Sequence, residues 1–327
     1  MVKIKTLLTS GLLLLSLLMT VTVPAAPKIQ SWQTTNGAKV LFVEAPDLPM
    51  IDMRVVFDAG SARDGDIPGV ALMTNSMLTE GAGEWNADQI AENIESVGAE
   101  LSVDSLRDMS IVSLRSLTES KALNKAMDVM AAVIARPTFV QSALDRNLQA
   151  LKILLRQEQQ SPSDIASKAF YRAMYNDHPY AHPSSGTEES LKDITRDAVA
   201  VFHKKYYVAR NATIAIVGAV NRQQAAELEE KAVSGLPAGE HAPVLPAVNS
   251  KKATLRDEIE FPSTQAHLYM GLPVLSRTDA DYFPLYVGNH VLGGSGLVSK
   301  LSVEVREKRG LAYSSYSYFS PMRGPGP

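Results

Sequence analysis

The sequence predicts a chain that mixes β-strands with α-helices and is organised as two related halves. Short alternating runs such as residues 51–58 indicate strands, and longer runs with helical periodicity such as residues 141–158 indicate helices. A strand, a polar loop, a buried helix and a glycine follow one another over residues 52–81 and again over 266–294. This recurrence indicates an internal duplication.

Composition limits the class of protein. The 327 residues are 45% hydrophobic, which excludes a disordered chain, and the mean hydropathy of −0.04 excludes a protein with many membrane spans. A formal charge of −3 gives no basic surface for nucleic acid or for acidic lipids. The absence of cysteine excludes thiol catalysis, disulfides and cysteine-based zinc sites.

The N-terminus has the layout of a secretory signal peptide. Lys3 and Lys5 precede an apolar run, and small residues ending at Ala25 offer a cleavage site. An uncleaved membrane anchor is the alternative, but the run is shorter than the ~20 residues that a comfortable span needs. We therefore expect a signal peptide over residues 1–25, a periplasmic or secreted bacterial protein, and no membrane attachment after cleavage.

The remaining sequence divides into a long first half and a short second half. In the first half, residues 26–235, we expect strands at 38–44, 51–58, 100–103, 109–114 and 212–217, and helices at 69–78, 86–97, 118–136, 141–158 and 163–175. Residues 236–250 contain Pro237, Pro243 and Pro246 and indicate a linker. The second half, residues 251–327, has an expected strand at 266–271 and helix at 283–292, and it is interpreted as an incomplete copy that ends in a loop.

Three stretches carry a resemblance to a known family. They are residues 55–78, with a strand, a loop and a helix; residues 177–191, which begin Asp-His-Pro-Tyr; and residues 301–313, which end Arg-Gly-Leu-Ala-Tyr. Their order and spacing resemble the pitrilysin/insulinase family of zinc metallopeptidases, which includes the mitochondrial processing peptidase. The resemblance implies an α+β fold of two duplicated domains, each a mostly antiparallel sheet covered by helices, with the second domain truncated.

The family's zinc motif, His-x-x-Glu-His, is missing. Its two histidines bind Zn²⁺ from one helical face while the glutamate activates a bound water. The matching positions are Leu72, Asn75 and Ser76. The third ligand of the family, a glutamate before a proline, matches Leu154 when counted back from Pro162, with Glu158 one turn away. We therefore expect no metal here and zinc only in a partner subunit.

The histidines offer no replacement motif. His178 and His182 are four residues apart, but Pro179 and Pro183 disfavour a shared helical face. His267 and His290 fall in the expected strand and helix of the second half, where structural histidines are commoner than ligands.

The third stretch matches the family's second functional motif, an arginine and a tyrosine seven residues apart. The resemblance assigns substrate binding to Arg306 and Tyr313, since a guanidinium can bind peptide carbonyls and a phenol can donate to an oxyanion. A surface arginine and an ordinary strand tyrosine are the alternative, and Arg309 replaces Arg306 if the register differs. Tyr316 and Tyr318 would share one face of the strand, opposite Tyr313 and Phe319.

Loss of the zinc positions beside a retained Arg/Tyr pair indicates one member of a two-subunit enzyme. The leading hypothesis is a non-catalytic, substrate-binding subunit that joins a homologue bearing the zinc motif and acts on peptides. The alternatives are a stand-alone periplasmic protein that binds peptides or acts as a scaffold, and an active zinc peptidase with a displaced site.

Overall fold

The computed structural model describes residues 27–249 and 254–327. The strands are β1 (Gln30–Gln33), β2 (Lys39–Glu44), β3 (Met50–Phe57), β4 (Gly81–Ala82), β5 (Trp85–Asn86), β6 (Glu100–Ser105), β7 (Ser110–Leu117) and β8 (Ala212–Gly218). The helices are α1 (Val70–Ser76), α2 (Ala87–Glu95), α3 (Ser120–Ala135), α4 (Gln141–Glu158), α5 (Pro162–Tyr175), α6 (Arg196–Tyr206), α7 (Arg222–Val233) and α8 (Tyr282–Asn289). Every strand and helix expected in the first half is present within a few residues.

A six-stranded sheet organises the first half, in the order β1-β2-β8-β3-β7-β6. All neighbours run antiparallel except β2 and β8, which are parallel. β3 is central and pairs along its whole length with β7, and it also pairs with β8. The fold is therefore α+β, with the mostly antiparallel sheet that the resemblance implies.

One face of this sheet is buried and apolar, and the other is half-buried or exposed and mixes polar with apolar residues. In β3 the side chains of Ile51, Met53, Val55 and Phe57 are buried, because alternate residues of a strand point to the same face. The helices α3 and α7 pack together in this core, and α3 also contacts β7. On the opposite face Arg115 and Asp52 form an exposed ion pair.

Local sequence signals set several helix ends. Asn86 begins α2 with a capping box in which its side chain accepts from the Gln89 N–H and the Gln89 side chain accepts from the Asn86 N–H. After α2 the chain turns at Gly98, whose φ of +65° lies in the left-handed region that glycine tolerates. These are the start and stop predicted for that helix.

The segment expected to be a linker lies against the first half. Residues 237–249 form no helix or strand, but the Pro243 carbonyl accepts from Arg63 Nη1 at 2.5 Å and the Pro246 carbonyl lies 3.0 Å from His178 Nε2. Residue 250 lies outside the described residues. The described part of the segment thus packs along the surface of the first half.

The second half contains helices without a sheet. After α8 come a π-helix, His290–Gly294, and a second π-helix, Ser302–Glu307. Residues 254–327 have no strand in the structure, only an isolated bridge between Leu275 and Gly326. The strand expected at 266–271 is absent, and Leu268 and Met270 there are 89% and 90% exposed. An apolar run becomes a strand only when another strand satisfies its backbone, and no described segment does so here.

The end of the chain returns to the first half. Met322 is buried with Tyr175 and Tyr180, and the Tyr180 hydroxyl accepts from the Gly324 N–H at 3.1 Å. Asp108 accepts from both the Tyr180 hydroxyl and the Arg323 N–H, each at 2.6 Å. The Asp-His-Pro-Tyr stretch thus forms part of the surface that holds residues 322–326.

Two expectations concern membranes and secretion. The signal peptide expected over residues 1–25 lies outside the described residues. Within 27–249 and 254–327, no helix is long and apolar enough to cross a bilayer.

Candidate functional site

The helix that carries the expected zinc-motif positions, α1, is fixed at its start by a buried carboxylate. Asp64 accepts from the Gly69 N–H at 2.7 Å and from the Ala71 N–H at 2.8 Å, which satisfies N–H groups that a helix start leaves unpaired. His182 Nε2 lies 3.1 Å from the same carboxylate and 2.9 Å from the Ser61 carbonyl. Burial raises the pKa of Asp64, while the bond from His182 opposes that shift.

The loop after His182 supports the same helix start. The Ser190 hydroxyl donates to the Pro68 carbonyl at 2.7 Å. Gly186 has a φ of +73°, and a Cβ there would lie 2.3 Å from the Pro68 oxygen, so the contact requires glycine. Residues 182–190 and Asp64 therefore hold the start of α1 in place.

The three positions that match the zinc motif have local structural roles. Leu72 packs against the apolar cluster formed by α1, α4 and α6. Asn75 is buried, and its Nδ2 lies 3.5 Å from the Tyr207 hydroxyl and from the Ile111 carbonyl. Burial raises the pKa of Tyr207 to about 12, so this partner is a neutral phenol. The Ser76 hydroxyl donates to the Leu72 carbonyl at 2.9 Å within the helix.

The expected third ligand position is apolar as well. Leu154 is 45% exposed on α4, while Leu151 and Leu155 on the same helix are buried. Glu158, one turn further, pairs with Lys168 Nζ at 2.6 Å. Leucine has no donor atom, and the carboxylate of Glu158 is paired with Lys168, so these residues do not fit a zinc ion.

The histidines do not converge on a second site. His178 Nδ1 accepts from the Tyr180 N–H at 3.1 Å, and His182 is bound at Asp64. His267 and His290 are exposed in the second half, the first in irregular chain and the second at the start of a π-helix. Across the described ranges, no group of three His, Asp or Glu side chains is placed to hold a metal ion.

The expected substrate-binding pair is exposed and unpaired. Arg306 lies in the π-helix Ser302–Glu307, and Tyr313 is 87% exposed in irregular chain. Neither side chain makes a hydrogen bond, ion pair or ring contact within 27–249 and 254–327. Arg309, the alternative, instead donates from Nη1 to the Glu304 carbonyl at 2.7 Å.

The tyrosines beyond this pair form a small exposed group. The rings of Tyr316 and Tyr318 stack with centroids 5.9 Å apart, although the expected strand is not formed there. The two rings therefore lie side by side without the strand on which a common face was expected.

The outer edge of β6 is a further candidate binding feature. β6 is the last strand of the sheet and, among the described residues, pairs with β7 alone, so its second row of backbone groups faces outward. Its positions alternate between exposed and half-buried. Such an edge can accept an extended peptide as an additional strand.

The sequence analysis did not predict the contacts of Asp64 and His182 that fix the start of α1. The only signal for them was Asp64 in a polar loop a few residues before a helix, which is a common position for a capping carboxylate. The contact from His182 joins residues 118 positions apart. No local pattern predicts such a contact.

Two family models together match most of the chain. A model of the insulinase family, peptidase family M16, matches residues 39–188, and a model described as the peptidase M16 inactive domain matches residues 193–327. The second match begins before α6, so it includes the last helices and strand of the first half. The chain is also 27% identical over 300 residues to YmxG of Bacillus subtilis, named an uncharacterized zinc protease, covering 91% of this chain and 72% of the relative.

Solved structures of peptidase M16 proteins and of other proteases also resemble this chain. A peptidase M16 inactive domain from Pseudomonas fluorescens is 38% identical with a TM-score of 0.86, over 91% of this chain and 72% of that one. A protease from Helicobacter pylori is 20% identical with a TM-score of 0.77, over 92% of this chain and 73% of that one. The second likeness shows the fold alone.

Proposed function

Because the chain belongs to peptidase family M16, the insulinase family, we propose that it is the non-catalytic, substrate-binding subunit of a two-component zinc endopeptidase. A homologue that carries His-x-x-Glu-His supplies the zinc site, and this chain supplies Arg306 and Tyr313. The Arg/Tyr role, the partner and the compartment are parts of this proposal.

The observation that carries the proposal is a contrast between two sets of residues. At the zinc positions, Leu72 is packed into an apolar cluster and Asn75 is buried beside Tyr207. Arg306 and Tyr313, in contrast, are exposed side chains without partners in the described chain. A subunit that contributes side chains to another subunit's active site must expose those side chains. It does not need zinc ligands of its own.

The chemistry of the pair suits a peptide substrate. A guanidinium donates several hydrogen bonds in a fixed plane and can hold peptide carbonyl oxygens. A phenol can donate to the oxygen of a scissile carbonyl as negative charge develops on it. In the proposed complex the zinc belongs wholly to the partner, and this chain binds and orients the peptide.

The free edge of β6 supports the substrate-binding part of the proposal. Its outward backbone groups can pair with an extended peptide whatever the peptide's side chains, so one edge can serve varied sequences. The N-terminal sequence supports a periplasmic or extracellular location, where such peptides would be met.

The test is reconstitution with a zinc-motif homologue, for which the neighbouring open reading frame is the first choice. We expect the two chains to co-purify and to cleave an unstructured peptide that neither chain cleaves alone. Arg306→Ala and Tyr313→Phe should each reduce kcat of the complex by about 10²–10³-fold without dissociating it, as loss of an oxyanion donor does elsewhere. Arg256→Ala and Tyr286→Phe, at exposed positions of the same half, are the matched controls.

Three results would overturn the proposal. One is full activity of both site variants in the complex. Another is peptide cleavage by this chain alone with stoichiometric zinc in the purified protein, which would restore the displaced-site alternative. The last is tight peptide binding by the isolated chain with no association to any zinc-motif homologue, which would indicate a stand-alone binding protein.

A further inference from the structure

A polar pocket lies beside the loop that supports the start of α1, and Arg306 is not among its lining residues. It has a volume of about 160 Å³ and lies between α4, α5, the turn joining β6 to β7, and the loop that follows His178. Its charged groups are Arg107, Lys168, Glu158 and Asp164, and serine hydroxyls complete its polar lining. The pocket therefore carries two cations and two anions, with no net charge.

One of the two possible ion pairs in the pocket is already formed. Lys168 Nζ lies 2.6 Å from Glu158 Oε2, and the Ser185 hydroxyl lies 3.4 Å from the same oxygen. Both side chains are mostly shielded from water. Lys168 and Glu158 neutralise each other, so Arg107 and Asp164 are the charged groups of the pocket that remain available to bind a ligand.

Arg107 is a partly buried cation that forms no ion pair among the described residues, although the nearby carboxylate of Asp108 attracts it. Its Nη1 donates to the carbonyls of Tyr180 at 3.0 Å and His182 at 2.8 Å, and its guanidinium lies 4.0 Å from the Tyr171 ring centroid. No carboxylate in the described chain forms an ion pair with it. Burial lowers the pKa of this guanidinium, yet arginine keeps its charge in proteins, so an arriving anion relieves its desolvation.

Asp164 is the complementary free anion. It lies in the first turn of α5, where only its backbone N–H is bonded, to the Ser161 hydroxyl. Its carboxylate is exposed and pairs with no cation among the described residues. The hydroxyls of Ser167 and Ser184, which also line the pocket, make no hydrogen bond in the same part of the chain.

We propose that this pocket binds a small zwitterion, a free α-amino acid or a dipeptide, with its carboxylate on Arg107 and its ammonium group on Asp164. A ligand with one charge of each sign matches a pocket of no net charge, whereas a simple anion on Arg107 would leave the Asp164 carboxylate unpaired and be repelled by it. The volume holds about five waters and is of the size of a small amino acid. The site is independent of pairing with a zinc subunit.

The experiment is calorimetric titration of the full chain, without any partner, with glycine, L-serine and glycylglycine, and separately with acetate and methylamine. We expect saturable binding of at least one zwitterion in the millimolar range, and at least about tenfold weaker binding of acetate and methylamine. Asp164→Asn should weaken binding of the zwitterion by about tenfold. Asp88→Asn, an exposed aspartate in the first turn of α2, is the matched control and should leave binding unchanged.

A second variant distinguishes weaker binding from a loss of folding. Arg107→Lys keeps the charge but loses the planar donor, and should weaken binding while the unfolding midpoint stays within a few degrees of the parent protein. Two results would overturn the proposal. One is no saturation at about 10 mM, where a site of millimolar affinity is about nine-tenths filled. The other is acetate binding as tightly as glycine with no effect of Asp164→Asn.

Discussion

The two halves of the chain use similar residues to different effect. In β3, Val55 faces Val112 of β7 on one side and Ile214 of β8 on the other, and all three are buried. Residues 266–271 have a comparable apolar content, yet Leu268 and Met270 are almost fully exposed. The difference lies in the neighbours, because β3 has a strand on each side and 266–271 has none among the described residues.

This contrast shows what an alternating pattern specifies. It fixes which side chains share a face, but burial and hydrogen bonding of the strand depend on other segments. The stacked rings of Tyr316 and Tyr318 show the same point, because the two side chains lie side by side although no strand forms there. Substitutions in the buried core of the first half should therefore affect stability more than substitutions at the exposed apolar positions of the second half.

The largest expected effect is on the core of the first half. Phe57→Ala removes a fully buried ring whose centroid lies 4.7 Å from that of Tyr207, and should lower the free energy of unfolding by about 3–5 kcal/mol. Leu268→Ala should change it by less than about 0.5 kcal/mol because that side chain is already in water. Urea unfolding followed by far-ultraviolet circular dichroism measures both. Equal losses would show that the second half is packed in solution, contrary to the comparison.

A smaller effect tests one of the contacts that join the halves. Asp58 accepts two hydrogen bonds from Arg63, at 2.9 and 2.7 Å, and both side chains are buried, while Arg323 of the second half also contacts this carboxylate. Asp58→Asn leaves the Arg63 charge buried without its counter-ion and should cost about 3 kcal/mol. Arg323→Gln removes a half-exposed partner and should cost at most about 1 kcal/mol. A larger loss from Arg323→Gln would mean that the second half is integral to the first domain's stability.

The sequence predicted the first half well because its signals are local. Period-2 and period-3.6 patterns identified β2, β3 and the helices through α5, and Asn86 and Gly98 marked the ends of α2. β1 was missed because Gln30–Gln33 is polar at most positions and gains its place from pairing with β2. The contacts of Asp64 with His182 and of Asp58 with Arg323 join distant residues, so no local pattern indicates them.

The candidate site was predictable only in part, for the same reason. Motif spacing led to Leu72, Asn75 and Ser76 as the expected zinc positions, and the structure adds the contacts that these three side chains make. Whether Arg306 and Tyr313 meet a zinc site depends on a second chain, which a single sequence does not contain. Their assignment to substrate binding stays a prediction for reconstitution.

The smallest expected effect compares one residue type in the two halves. Glu304, in the second half, is exposed to solvent, and its bond from Lys308 lowers its pKa. Glu229, on α7, is 1% exposed; its Oε1 accepts from Trp32 Nε1 at 2.5 Å and its Oε2 has no partner among the described residues. Burial raises the pKa of Glu229 to about 7, above its ordinary value of 4.5.

The sign of the resulting pH dependence follows from linkage. Between pH 4.5 and 7 the folded chain holds a proton at Glu229 that the unfolded chain has lost, so this group makes stability fall as pH rises through that window. Glu229→Gln, which stays neutral, should remove this contribution and raise the free energy of unfolding at pH 8 by about 1–3 kcal/mol, with little change at pH 4.5. Glu227→Gln, an exposed residue of the same helix, should follow the parent at both pH values. If Glu229→Gln destabilises the protein equally at pH 4.5 and pH 8, the buried carboxyl is not the titrating group. The difference in burial between Glu229 and Glu304 would then not produce a difference in their pKa values.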